Sequence, residues 1–150
     1  MTSPDGQTAP PVTPSDVVES YLLRVEADPG LRQASFTFRT PRGDREFRLI
    51  AYEVQRLSMN EFSQQNIVHA VEVLGDARDP GRVRDLLSIL LFDKSASDID
   101  EPVFRDQLDE AVTEVLDGRK VLLEIEPVYG ASVLLLAGSI QWVLPGRGRG

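Results

Sequence analysis

Two hydrophobic periods alternate along this chain. Between Ser15 and Asp28 the apolar positions Val18, Tyr21, Leu22 and Val25 share one helical face, Thr13 or Ser15 can cap it, and Asp16 and Glu19 stand in the first turn. This spacing predicts a helix stopped by Pro29-Gly30. The period then falls to two: Phe36 and Phe38 alternate with Thr37 and Arg39, Pro41-Arg42-Gly43-Asp44 reads as a turn, and Phe47 to Leu57 resumes strand spacing. Inside that run the apolar phase slips between Leu49 and Ile50, which predicts a bulge or a strand buried on both faces.

Ile67 to Leu74 fits either period. Four of its eight residues are β-branched, which favours a strand, while Ile67, Val71 and Leu74 also suit a helix capped by Asn60 and stopped by Gly75. The strand is preferred. Asp79-Pro80 then offers a cap and a first-turn proline to a helix carrying Val83, Leu86, Leu87, Leu90 and Leu91. After a polar loop over Lys94 to Ile99, a second helix starts near Asp100-Glu101-Pro102. Phe104, Leu108, Ala111, Val112, Val115 and Leu116 form its stripe, and Gly118 supplies a left-handed end. Val121 to Glu126 and Val133 to Leu144 read as strands joined by Pro127-Val128-Tyr129-Gly130, with a kink at Gly138 and with Ile140, Trp142 and Leu144 on one face.

The expected fold is therefore α+β: an antiparallel or mixed sheet of about five strands with three helices packed mainly on one face. Residues 14–144 form a single domain in this reading. Proline and small polar residues make residues 1–13 a disordered tail and 145–150 a flexible C-terminal one. A chain of 150 residues buries roughly 70% of its unfolded surface, so the core needs no metal or disulfide staple.

Composition narrows the chemistry. There is no cysteine and one histidine, His69, while Asp and Glu number 24 against 16 Lys and Arg, for a net charge of −8. Thiolate nucleophiles, thiolate metal sites and paired-histidine sites are excluded. The acidic balance speaks against nucleic acid and an anionic membrane as partners. Residues 1–13 lack the basic and apolar regions of a signal peptide, and the most apolar run, Ala131 to Leu144, is too short to span a bilayer. The missing cysteines fit a reducing compartment, so a cytoplasmic setting is expected, and the preference for arginine over lysine points to a GC-rich, bacterial source.

Asp93 to Glu126 holds eleven carboxylates and four basic residues. A calcium loop started at Asp93 would need glycine where Asp98 stands and glutamate where Phe104 stands, so that motif fails. Helix-start and solvent-facing roles are expected for these acids. His69 is expected to share a strand face with Ile67, Val71 and Val73, and so to be partly buried and hydrogen-bonded. Glu124 and Glu126 alternate with Leu123 and Ile125 and are expected to point to solvent or a sheet edge. Arg82 and Arg84 are read as countered by Asp79 and Asp85. No phosphate-cradling glycine loop and no Gly-x-Ser-x-Gly elbow is present.

The run Phe47 to Leu74, around Phe62-Ser63-Gln64-Gln65-Asn66-Ile67-Val68, resembles small bacterial β-rich proteins, some of them linked to toxin immunity. The expected function is a non-catalytic protein-interaction domain of adaptor, immunity or accessory type. It needs no cofactor and binds a partner of basic surface through Asp98, Asp100, Glu101, Asp106, Asp109 and Glu110. Two other readings stay open: a small-ligand sensor or structural subunit with Trp142 and Tyr129 as contacts, and a carboxylate-dependent metal hydrolase built on His69 or Asp98 to Glu101.

Overall fold

Alternation prevails over helical spacing in the first half of the chain. The computed structural model describes residues 19–40, 45–63, 65–74 and 79–143. The order is β1 (Tyr21–Asp28), β2 (Gln33–Arg39), β3 (Glu46–Tyr52), β4 (Arg56–Asn60), β5 (Ile67–Leu74), α1 (Pro80–Phe92) and a 3-10 turn (Ala96–Asp98). Then come α2 (Pro102–Leu116), β6 (Val121–Tyr129), β7 (Ser132–Ala137) and β8 (Ser139–Val143). Every strand pairing is antiparallel, in the order β4-β7-β6-β5-β1-β2-β3-β8.

The expectation of about five strands and three helices is corrected by this arrangement. Eight strands dominate, and the described residues hold two α-helices. Tyr21–Asp28, expected to be helical, is β1. The reason is a register shift between Leu22 and Arg24, which leaves Leu22 and Val25 both facing inward. A bulge turns the strand period of two into a spacing of three, which reads as one helical step. The same device acts in β5, where the shift between Val68 and Ala70 sends both Val68 and Val71 inward. The slip expected at Leu49 is not a bulge: β3 pairs with β2 without interruption, and Ile50 and Tyr52 are half-buried on its other face. The two tails, Pro41 to Asp44 and the domain limits at 14 and 144 lie outside the described residues.

The sheet closes on itself at two corners. At the first, β3 continues into β4 through Glu53–Gln55 while β7 continues into β8 through Gly138. The two bent strands run side by side, β3 along β8 and β4 along β7. Gly138 N donates to Tyr52 O at 2.9 Å and to Glu53 O at 3.1 Å, and Gln55 N donates to Leu136 O at 2.8 Å. Glu53 takes the left-handed conformation (φ 54°) to make the bend. A Cβ on Gly138 would fall 3.0 Å from Glu53 Cβ and closer still to its carboxylate, so at the expected kink Gly138 leaves room for the Glu53 side chain. At the second corner β1 meets β5 through Tyr21 and Ile67, with Val68 N donating to Ser20 O and Leu22 N to Asn66 O.

Two four-stranded halves, β4-β7-β6-β5 and β1-β2-β3-β8, thus enclose one core. Phe36, Phe38, Phe47, Leu49, Leu123, Ile125 and Leu135 fill it and are fully buried. Phe38 stacks on Phe47 with centroids 5.2 Å apart, and Trp142 lies 6.0 Å from each. Trp142 is therefore half-buried against the core and not an exposed contact. The helices cover the outer side of the first half, where Val83, Leu87, Leu108 and Val115 meet Leu122 and Leu136. Asp79 caps α1 through Arg82 N, Pro80 opens it, and Gly118 ends α2 at φ 80°, as the sequence indicated.

Asn66 ties the second corner to the β6–β7 turn. It is 4% exposed; its Oδ1 accepts from Ser63 N at 2.9 Å and Ala131 N at 3.0 Å, and its Nδ2 donates to Ser63 O at 2.9 Å and Leu22 O at 3.4 Å. Gly130, at φ 92°, leaves the space this amide occupies. Asn66→Ala should lower the unfolding free energy by about 3 kcal/mol or more in urea titration, because it strands buried backbone donors. Asn66→Asp should not restore it, since a carboxylate cannot donate to Leu22 O. A loss under about 1 kcal/mol would show that the amide is not a structural tie.

Candidate functional site

The strongest convergence of charged side chains lies where α1 begins over the sheet. Glu72 and Glu124 are direct cross-strand partners on β5 and β6, and Ala70 pairs with Glu126. All three glutamates therefore face outward, toward the helices. Two carboxylates directly opposite repel each other, and Arg82, in the first turn of α1, supplies the opposing charge. Its Nη2 donates to Glu124 Oε1 and lies 3.4 Å from Glu72 Oε1 and 3.7 Å from Glu126 Oε2. The capping bond from Arg82 N to Asp79 Oδ1, at 3.1 Å, fixes the backbone from which the guanidinium reaches down.

Burial is graded across this group. The Glu124 side chain is 19% exposed, against 50% for Glu72, because Leu134 flanks Glu124 on β7 and α1 lies above. Burial raises the Glu124 carboxyl above the ordinary 4.5, Arg82 pulls it back, and Glu126 and Glu72 push it up again. The Arg82 guanidinium is held above its ordinary value, chiefly by the charge of Glu124 and the hydrogen bond to it. Carboxylate oxygens of Glu72, Glu124 and Glu126 come within 4.8 Å of one another, and no other such group of acids occurs among the described residues. Three oxygen donors suit a hard divalent cation. Here the protein's own guanidinium contacts all three, so the charge that a metal would bring is already supplied. The arrangement clamps the start of α1 to β5 and β6.

Two sequence expectations are corrected at this site. Glu124 and Glu126 do not point freely to solvent, and Arg82 is countered by glutamates of the sheet and not by Asp79. Arg84, for its part, pairs with Asp109 of α2 at 2.6 Å and not with Asp85. His69 is exposed, contrary to the half-buried position expected, because the β5 bulge turns it away from the face of Val68 and Val71. Neither His69 nor the Asp98 to Glu101 segment belongs to the three-glutamate group. The pairing of Glu72 with Glu124 was beyond sequence reasoning, since it depends on a register spanning two helices. The arginine directly after an Asp-Pro-Gly cap was the available signal.

Asp98, Asp100, Glu101, Asp106, Asp109 and Glu110 all lie exposed on the 3-10 turn, the following loop and α2. Asp98 accepts from Ser95 Oγ at 3.0 Å, and Asp109 is held by Arg84. Apolar side chains stand among them. Val103 is 56% exposed and Phe104 37%, with Ile89 of α1 at 50%. Phe104 lies 5.3 Å from the Phe92 ring between centroids.

No helix of the described residues is long and apolar enough to cross a membrane. Comparison with known proteins gives no match: no protein-family model fits the chain, and no curated protein or solved structure is similar to it.

The raised Glu124 carboxyl has a signed consequence. A group that binds its proton more tightly when folded adds stability below its unfolded value, and that contribution is lost as pH rises through the folded one. In urea unfolding at a series of pH values, the stability of the wild type minus that of Glu124→Gln should fall as pH rises from about 4.5, then level off. A difference that rises across the same window would mean that Arg82, and not burial, governs this carboxylate.

Proposed function

We propose that this chain is a non-catalytic, cytoplasmic protein-binding domain of adaptor or immunity type, which docks a basic partner surface on its helical hairpin. The carrying observation is the exposed pair Val103 and Phe104 at the start of α2, with Phe104 against Phe92 of α1 and the exposed Asp98, Asp100, Glu101 and Asp106 close by in the chain. Apolar anchors within a charged border are the anatomy of a binding surface: the anchors give affinity, and the border gives orientation and encounter rate. Phe104 is braced by Phe92, so it loses little freedom on binding. Val103, Asp106 and Glu110 fall on one stripe of α2, which extends the acidic border along the helix. Asp109 serves less as a contact than as a brace, because Arg84 already neutralises it.

The rest of the molecule supports this reading. Large apolar side chains fill the space between the two half-sheets, so the interior is a core and not a ligand chamber. The closest set of acids carries its own cation, which disfavours metal-assisted hydrolysis at that place. The cysteine-free composition supports a reducing compartment, and the arginine-rich composition a bacterial source.

The reading is tested with two variants and one partner. A photo-crosslinker at Val103 captures what the hairpin touches, and binding of the purified partner is then measured at two salt concentrations. Phe104→Ala should weaken binding at least about tenfold, mostly through faster dissociation. Asp100→Lys combined with Asp106→Lys should slow association and abolish the salt dependence. A partner that both variants bind as well as the wild type would remove the hairpin as the docking surface.

A further inference from the structure

The outer face of the second half-sheet, which the helices leave uncovered, carries Arg24, Arg39 and Arg48 interleaved with Glu26, Asp28 and Glu46. On β2, residues 33, 35, 37 and 39 point outward, since Ala34, Phe36 and Phe38 fill the core. The registers place Arg24 of β1 and Arg48 of β3 directly beside Thr37. A single row across three adjacent strands therefore reads Arg24–Thr37–Arg48, and Arg39 follows two residues along β2. Strand spacing puts the two flanking Cα atoms about 10 Å apart, within reach of two guanidinium groups converging over the central residue. All three arginines are exposed. Among the described residues, none of the three makes an ion pair.

Thr37 supplies the second, independent observation. It is 3% exposed, yet its Oγ1 has no hydrogen-bond partner. Buried hydroxyls nearly always find one, because leaving the group unpaired is costly. Here an unpaired donor stands between two free guanidinium groups. Glu26 and Glu46 flank the row, two residues from Arg24 and from Arg48 on the same face, but neither forms an ion pair with them; Glu26 accepts from Ser35 Oγ at 3.4 Å, and Glu46 stands across from Arg39. The carboxylates of the hairpin belong to the other half of the barrel, across the core.

We propose that Arg24, Thr37 and Arg48 form a binding site for a phosphate group, with Arg39 at its margin. A planar carboxylate is saturated by one bidentate arginine, whereas donors arriving from three separate strands suit a tetrahedral oxyanion. The two arginines neutralise the charge, and the Thr37 hydroxyl donates to one remaining oxygen once the arginine stems part. The site is distinct from the hairpin surface, so the protein would carry one recognition site on each half of the barrel.

The experiment follows the amide and arginine Nε–H signals of ¹⁵N-labelled protein during titration with inorganic phosphate at low ionic strength. Saturable shifts at Arg24, Thr37 and Arg48 are expected. Thr37→Val, which keeps the shape, should weaken binding about tenfold. Arg24→Gln with Arg48→Gln should abolish it, while Arg56→Gln on β4 should leave it unchanged. Spectra that overlay the wild type away from β1–β3 confirm that the variants fold. A parallel titration with O-phosphoserine separates the sources: tighter binding than phosphate indicates an esterified phosphate, and weaker binding the free ion. Shifts that never saturate, that persist in the double variant, or that acetate reproduces equally would overturn the proposal.

Discussion

Everything in this fold depends on folding one row of strands into two facing layers. A sheet with one apolar face buries nothing until another face covers it. The chain meets that requirement mostly with the sheet itself. Phe36, Phe38, Phe47 and Leu49 from one half meet Leu123, Ile125, Val133 and Leu135 from the other. Both corners must hold at once for this to work. Gly138 against Glu53 makes one of them, and Asn66 braces the other against the β6–β7 turn. Each corner pairs a positive-φ residue or a closely approached glycine with a dense set of backbone hydrogen bonds. The polar cost of bending a strand is met locally, and the phenylalanines are free to fill the centre.

That architecture explains what could be read from the sequence. β2, β6 and both helices were legible, because uninterrupted periods and explicit caps state them outright: Asp79-Pro80 for α1, Pro102 and Gly118 for α2. The density of β-branched residues favoured β5 as a strand although its period is broken. β1 was not. Its bulge sets Leu22 and Val25 three apart on one face, and local patterning has no means of telling that from a helical step. His69 was misplaced for the same reason in β5. The long runs Phe47–Leu57 and Val133–Leu144 were recognised as strands, but each is bent at a corner and so counts twice in the sheet. A corner is a property of two segments some eighty residues apart, and neither segment carries it alone.

The candidate site divides along the same line. The exposed acids of α2 were legible from helical periodicity, since a polar stripe opposite Leu108 and Val115 has only solvent to face. The clamp of Arg82 on Glu72, Glu124 and Glu126 was not, because cross-strand register creates it. It also shows how charge is managed near the core. Two opposed glutamates beneath a helix would repel each other and weaken the docking of α1. One arginine placed by a capping turn converts that repulsion into an attachment of the hairpin to the sheet. The hairpin needs such an attachment, since it joins β5 to β6 as an insertion and covers only the outer face of one half.

Net charge therefore conceals the way charge is distributed. A chain of −8 would be expected to repel anions over its whole surface. Yet the carboxylates gather on the hairpin, which lies over β6 and β7, while Arg24, Arg39 and Arg48 occupy the opposite face across a core of one side-chain layer. Closing the barrel imposes this separation. Alternation assigns every second residue of each strand to the outside, and the helices can screen only one of the two outsides. The uncovered side must carry polar side chains, and their signs are then free to differ from those of the hairpin. The topology thus separates the acidic hairpin from the arginine row, while Glu26 and Glu46 on the uncovered side keep that row local.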